Sequence, residues 1–170
     1  MTDYKEIFLQ ILNEQTGNNK WDEALFKKIV LIPITNRGQV GQNFVEKMCE
    51  KSNLSYQKPE GTQSPWDIKI KKISFEIKAA TEDTTGNFQF NHIRYHRKYD
   101  ALLCIGISPN EILFATWTAA DVKTNRAGNL VTMEKGANAS FKLTKKKSDL
   151  FSFDLFKNKI EEVISKVSNS

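Results

Sequence analysis

Apolar and polar residues alternate in two distinct rhythms along this chain. Ile7, Phe8, Ile11 and Leu12 recur at helical spacing, which predicts an amphipathic helix over residues 3–14. TGNN at 16–19 reads as a loop, and residues 21–32 read as a second helix stopped by Pro33. The loop TNRG then leads to a third helix over 39–52, with Val40, Phe44, Val45, Met48 and Cys49 on one stripe. After the turn-rich KPEGTQSP at 58–65 the rhythm changes. Ile68, Ile70, Ile73, Phe75 and Ile77 alternate with polar residues, the period of two expected of strands. Residues 101–107 form an apolar run of buried-strand type, and Pro109-Asn110 turns into another strand over 111–117. Gln89 to Lys98 reads as a helix, 141–144 as a last strand, and 154–167 as a closing helix with Phe156, Ile160, Val163 and Ile164 inward. Residues 118–140 are rich in Gly, Asn, Thr and Ala, and the pattern assigns them no element.

Helices first, then a sheet with interspersed helices, predict a mixed α/β class in a single domain over residues 1–170. A chain of this length buries enough apolar surface to fold without staples. Cys49 and Cys104 fall inside apolar patterns without metal-ligand spacing, so they read as buried thiols of a reducing compartment. No run approaches the roughly 18 consecutive apolar residues of a membrane span. The start MTDYKEIF lacks the order of a signal peptide, so a cytoplasmic location is the expectation.

The formal net charge of +5 is compatible with a polyanionic partner, although many unrelated proteins share it. The basic residues fall in runs: Lys69, Lys71, Lys72 and Lys78, then Arg94, Arg97 and Lys98, then Lys142 and Lys145 to Lys147. Each run is equally a solvated surface.

The candidate chemistry lies in W-D-I-K-I-K-K-I-S-F-E-I-K. With Lys71 and Lys72 as the turn, Ile70 opposes Ile73, Ile68 opposes Phe75, and Asp67 opposes Glu76. Asp67, Glu76 and Lys78 then share one face, and the apolar residues pack on the other. Two opposed carboxylates repel. A hard cation would relieve that repulsion, since Mg²⁺ binds through one or two carboxylates plus waters and phosphates. Lys78 beside them could orient a water or offset transition-state charge. The same spacing also describes a half-exposed hairpin with ordinary surface charges.

A helix beginning Gly38-Gln39-Val40-Gly41-Gln42 with Glu46 inside it, then Asp67, then Glu76-Ile77-Lys78 followed by a helix, resembles the PD-(D/E)XK nuclease superfamily. The resemblance covers a core of about residues 38–117, between a helical N-terminal region (1–37) and the C-terminal helix. It implies a restriction-endonuclease-like fold, a central mixed sheet flanked by helices. Phe88-Gln89-Phe90-Asn91-His92-Ile93-Arg94, Tyr99-Asp100 and Trp117 make it most similar to small type II restriction endonucleases. By that resemblance Asp67 and Glu76 hold Mg²⁺, with Mn²⁺ able to substitute, and Lys78 serves the attacking water. Gln42 or Glu46 completes the metal site. The expected partner is double-stranded DNA cut by a homodimer, with a companion DNA methyltransferase in the same system. Structure-specific repair or junction cleavage, or a non-cleaving DNA-binding subunit, are the rival functions.

In the 88–98 segment Gln89, Asn91, His92, Arg94, Arg97 and Lys98 are candidate DNA contacts, since Asn and Gln pair with adenine and Arg with guanine or phosphate. His92 and His96 have the i, i+4 spacing of helical zinc ligands, but no further ligand accompanies them. Arg126 and Lys135 are candidate phosphate contacts, and Trp117 reads as core.

Overall fold

In the computed structural model residues 4–17 and 19–170 are described; Asp3 of the expected first helix and Asn18 of the TGNN loop lie outside them. Helix α1 spans Tyr4–Thr16, α2 Ile34–Lys51, α3 Ala119–Lys123 and α4 Phe156–Ser168. The strands are β1 (Tyr56–Gln57), β2 (Ile68–Ile70), β3 (Ile73–Thr81), β4 (Asn87–Ile93), β5 (Ala101–Ile107), β6 (Ile112–Thr118), β7 (Leu130–Glu134), β8 (Ser140–Lys146) and β9 (Phe151–Ser152). The class is mixed α/β: a central mixed sheet flanked by helices.

That sheet has the order β1-β2-β3-β5-β6-β9, with β3 and β5 parallel and the other pairs antiparallel. One face packs on α2 and α4. Phe75, Ile77, Leu103 and Ile105 meet Val45 and Cys49 of α2 and Phe156, Ile160 and Val163 of α4 in one apolar cluster. Gly41 lets α2 approach β3 closely, since a Cβ there would lie 2.8 Å from that of Ala79. The opposite face, with Leu102, Cys104, Leu113 and Ala115, is covered by Phe88, Phe90, Ile93 and Leu143 of a second sheet ordered β4-β8-β7 and by Val122 of α3. The two faces of β5 thus feed two cores, which explains its unbroken apolar run. Both cysteines are free and buried. Burial pushes the Cys49 thiol up to about 12, as befits packing rather than reactivity. Among the described residues no helix is long and apolar enough to cross a membrane.

Several elements differ from the expectations. Residues 21–32 hold turns and a short 3-10 helix (Lys27–Leu31) in place of a helix ended by Pro33. Pro33 instead caps the start of α2, where a missing N–H costs nothing, so TNRG is its first turn rather than a loop. Arg37 fastens that turn, donating to the carbonyl of Ile32 (3.0 Å) and to Thr81 Oγ1 (3.1 Å). The expected helix over 89–98 is strand β4 followed by turns. The connection between parallel β3 and β5 therefore runs through a strand of the second sheet, and Glu76-Ile77-Lys78 is not followed by a helix. The unassigned 118–140 region contains α3 and β7. Thr118 and Asp121 form a capping box at the start of α3, a signature legible in T-x-x-D. The apolar stripe of α1 faces outward: Ile7, Phe8, Ile11 and Leu12 are each at least 40% exposed.

Candidate functional site

β2 and β3 pair as the alternation requires: Ile68 with Phe75, Lys69 with Ser74, Ile70 with Ile73. The turn places Lys71 and Lys72 at φ 46° and 75°, the two positive values of a type I′ hairpin, although neither is Asn or Gly. The ladder ends at Ile68. Asp67 joins β3 differently from the expected direct opposition to Glu76. Its N–H donates to the Phe75 carbonyl (2.8 Å) and its Oδ2 accepts from the Ile77 N–H (2.7 Å), so the two bonds bracket Glu76.

Glu76 is 3% exposed, on the face of β3 that looks toward the second sheet. A carboxylate there needs a partner. Lys78, two residues on and on the same face, supplies it, with Nζ 2.6 Å from Glu76 Oε1. Asp67 is half-buried beside this pair. Burial, then the Glu76 carboxylate, raise its carboxyl above the ordinary value; the Ile77 N–H, Lys78 and Arg97 oppose the shift without cancelling it. The three residues of the sequence motif are thus together, and two carboxylates compete for neutralisation.

Ser74 and Asp100 position the chain around them. Asp100 Oδ2 accepts from the Ser74 N–H (2.8 Å) and hydroxyl (2.7 Å), and the Asp100 N–H donates to the Ser74 carbonyl (2.9 Å). This clamp fixes residues 94–100 beside β3. Tyr99, from that segment, is buried with no hydrogen-bond partner for its hydroxyl among the described residues, and burial and Glu76 together push its phenol up. In the sequence Tyr99 enters only through the resemblance, with no role at the site.

Asp67 and Trp66 form one wall of a cleft of about 550 Å³, and Gln39, Gln42 and Glu46 of α2 form the other. Glu46 and Gln42 therefore face the same space as Asp67. Glu46 is engaged by Lys58, whose Nζ lies 2.6 Å from its Oε2. Among the described residues no group of three His, Cys, Asp or Glu side chains stands close enough to hold a metal ion. Asp67 lines the cleft, and Glu76 lies buried beside it. One carboxylate at a cleft with a second beside it is a donor set compatible with Mg²⁺, which would fill its other positions with water and phosphate oxygens.

The candidate DNA contacts separate. Gln89, Asn91 and His92 lie exposed on β4, not on a helix. Arg94 is half-buried with one guanidinium nitrogen 3.7 Å from Glu134, while Arg97 and Lys98 are exposed in the following turns. With His92 on a strand and His96 in a turn, the i, i+4 zinc geometry does not form. Arg126 pairs with Asp121 at 3.5 Å, and Lys135 is exposed. Trp117 is partly buried, with the Lys145 ammonium 5.1 Å from its ring.

No protein-family model and no curated protein matches the chain. Among solved structures, a bacterial homing endonuclease is similar at 14% identity and a TM-score of 0.44, over 68% of this chain and 81% of that one.

Proposed function

We propose that this chain is a Mg²⁺-dependent endodeoxyribonuclease that hydrolyses phosphodiester bonds of duplex DNA, of the type II restriction kind. The observation that supports this reading is the grouping of Asp67, Glu76 and Lys78, with Asp67 lining a cleft and its carboxyl raised by burial and by the adjacent Glu76. Asp67 and Glu76 would hold the ion. Mg²⁺, or Mn²⁺ in its place, supplies Lewis acidity and lowers the pKa of bound water when present. Lys78, held by Glu76, keeps an ammonium where negative charge develops on a phosphoryl group. Arg97 adds a positive charge near Asp67. Gln42 and Glu46 face the same cleft and remain the candidates for completing the metal shell. A single site per chain implies that cutting both strands takes a homodimer on a two-fold target. A cytoplasmic enzyme of this kind would act beside a DNA methyltransferase that protects the host.

The test is incubation of phage DNA with the purified chain and Mg²⁺, followed by sequencing of fragment ends. Discrete ends sharing a motif are the expected result. Preferential cleavage of branched over linear duplex would replace restriction with a repair or junction activity. Absence of any cleavage with Mg²⁺ or Mn²⁺ would overturn the nuclease and leave a DNA-binding subunit.

A further inference from the structure

The second sheet has an outer face that its core does not explain. Along β4, Phe88 and Phe90 are fully buried while Gln89 and Asn91 are exposed. A bulge then intervenes before Ile93 turns inward, and His92 sits at φ 56° within it. A non-glycine residue in the left-handed region costs about 1 kcal/mol or more. Here it puts two successive polar side chains, Asn91 and His92, on the solvent side, the re-aiming that bulges produce. On β8 the register sets Lys146 beside Asn87 and Thr144 beside Gln89, with Lys142 two residues along from Thr144 on the same face. Neither strand contains an Asp or Glu, in a chain with 20 of them. Gln89 is held by Asp83, to which it donates at 2.9 Å, whereas Asn91 is exposed near the end of the strand. The neighbouring acid, Glu134 of β7, is engaged by the Ser140 hydroxyl at 2.6 Å, with Arg94 and His92 at 3.7 and 3.8 Å.

We propose that the outer face of the β4–β8 pair enters the major groove of duplex DNA, with Lys142 and Lys146 on phosphates and Asn91 on a base edge. Strands lie about 4.8 Å apart, so a two-stranded ribbon fits a groove about 12 Å wide. Lysines flanking an amide-bearing ribbon without acids match the charge and edge chemistry of that groove. The inner face is anchored on Leu102 and Leu113, so the ribbon is presented rigidly. This inference rests on the nuclease reading and names the surface by which that enzyme holds its substrate.

The test measures binding of the full-length chain to a fluorescein-labelled random-sequence duplex by anisotropy, in EDTA, across a salt series. The double variant Lys142→Gln, Lys146→Gln should weaken binding and reduce the magnitude of the salt slope by about 1.8, two contacts at about 0.9 each. Lys157→Gln with Lys166→Gln, on α4 across the central sheet, removes the same charge and should leave the slope unchanged. Equal slopes for wild type and the β8 variant, or an equal loss in the α4 variant, overturn the surface while duplex binding still stands. No duplex binding by the wild type overturns the DNA reading beneath it. Asn91→Ala should keep the slope and change the duplexes enriched from a randomised pool. The same enriched set, or none with wild type, overturns the base-reading role. Circular dichroism melting of each variant confirms that the fold is kept.

Discussion

The central sheet and the second sheet treat charge in opposite ways. β3 and β5 are covered on both faces, so a carboxylate on them is costly and must be neutralised; Glu76 is, by Lys78 at 2.6 Å. β4 and β8 are covered on one face only, and their polar side chains stand in water at no cost. A charged residue is therefore informative in the first sheet and uninformative in the second. Function on the second has to be argued from a pattern of many residues, such as the bulge and the lack of acids.

The strongest way to sharpen that contrast is to remove the charges of the covered sheet. Asp67→Ala should lower Mg²⁺-dependent DNA cleavage about a thousandfold with the urea unfolding midpoint little changed, whereas Lys78→Ala should lower it about a hundredfold or more and also lower the midpoint, because Glu76 is left buried without its partner. Plasmid nicking assays read the loss. Cleavage by either variant at the wild-type rate would reduce the hairpin to a structural pair of strands.

The same difference explains what was legible in the sequence. The hairpin announced its register because Ile68, Ile70, Ile73 and Phe75 must all fall on one face, and a slip by one residue would expose them. The carboxylates and lysine came with it. β4 carries a helix-like pattern for a physical reason: the bulge adds a residue, so the buried Phe90 and Ile93 stand three apart, the spacing of a helix face. Its partner β8 lies about fifty residues away, and no local rule links them. Pro33 was legible as a boundary, but proline both ends and begins helices, and only the contacts of Arg37 show which. Of the candidate site, Asp67, Glu76 and Lys78 came from local alternation, whereas Lys58 and Tyr99 are brought in by tertiary packing alone.

A second prediction tests the seam between the sheets. Gly106 of β5 lies against Phe88 of β4 and Leu150; a Cβ there would meet the Phe88 ring at 3.0 Å and a Leu150 methyl at 2.8 Å. The leucine methyl can rotate away, but the ring is sealed in the core. Gly106→Ala should cost about 1–3 kcal/mol in urea unfolding. A variant as stable as wild type would mean that the sheets are loosely docked and that the second is not rigidly held.

The turn joining the sheets gives a smaller, pH-dependent effect. Asp83 accepts from the Thr85 hydroxyl (2.7 Å), the Asn87 N–H (3.0 Å) and the Gln89 amide (2.9 Å), and these bonds hold its carboxyl well below the ordinary range. A depressed carboxyl stabilises the fold above its unfolded value, about 3.9, and that contribution disappears as pH falls through the folded one. Asp83→Ala should therefore cost on the order of 1 kcal/mol at neutral pH, discounted for exposure. The gap from wild type should narrow below about pH 4. A gap constant across the acid range would assign the effect to something other than the ionised carboxylate.

The smallest effect lies in the hairpin turn and has the opposite sign. Lys72 is exposed and takes φ 75°, and its side chain makes no hydrogen bond among the described residues, whereas Lys71 pairs with Glu161 of α4 at 2.7 Å. Left-handed backbone costs a lysine about 1 kcal/mol that glycine does not incur, set against the larger entropy glycine loses on folding. Lys72→Gly should then stabilise by roughly 0.5–1 kcal/mol in urea unfolding, because the strain relieved is local and the type I′ turn favours glycine at its second position. Since the proposed catalytic face depends on the register of this hairpin and not on the turn's composition, cleavage by Lys72→Gly should match wild type. Stabilisation accompanied by loss of cleavage would mean that Lys72 itself reaches the substrate, and the basic residues of the hairpin tip would then join the site.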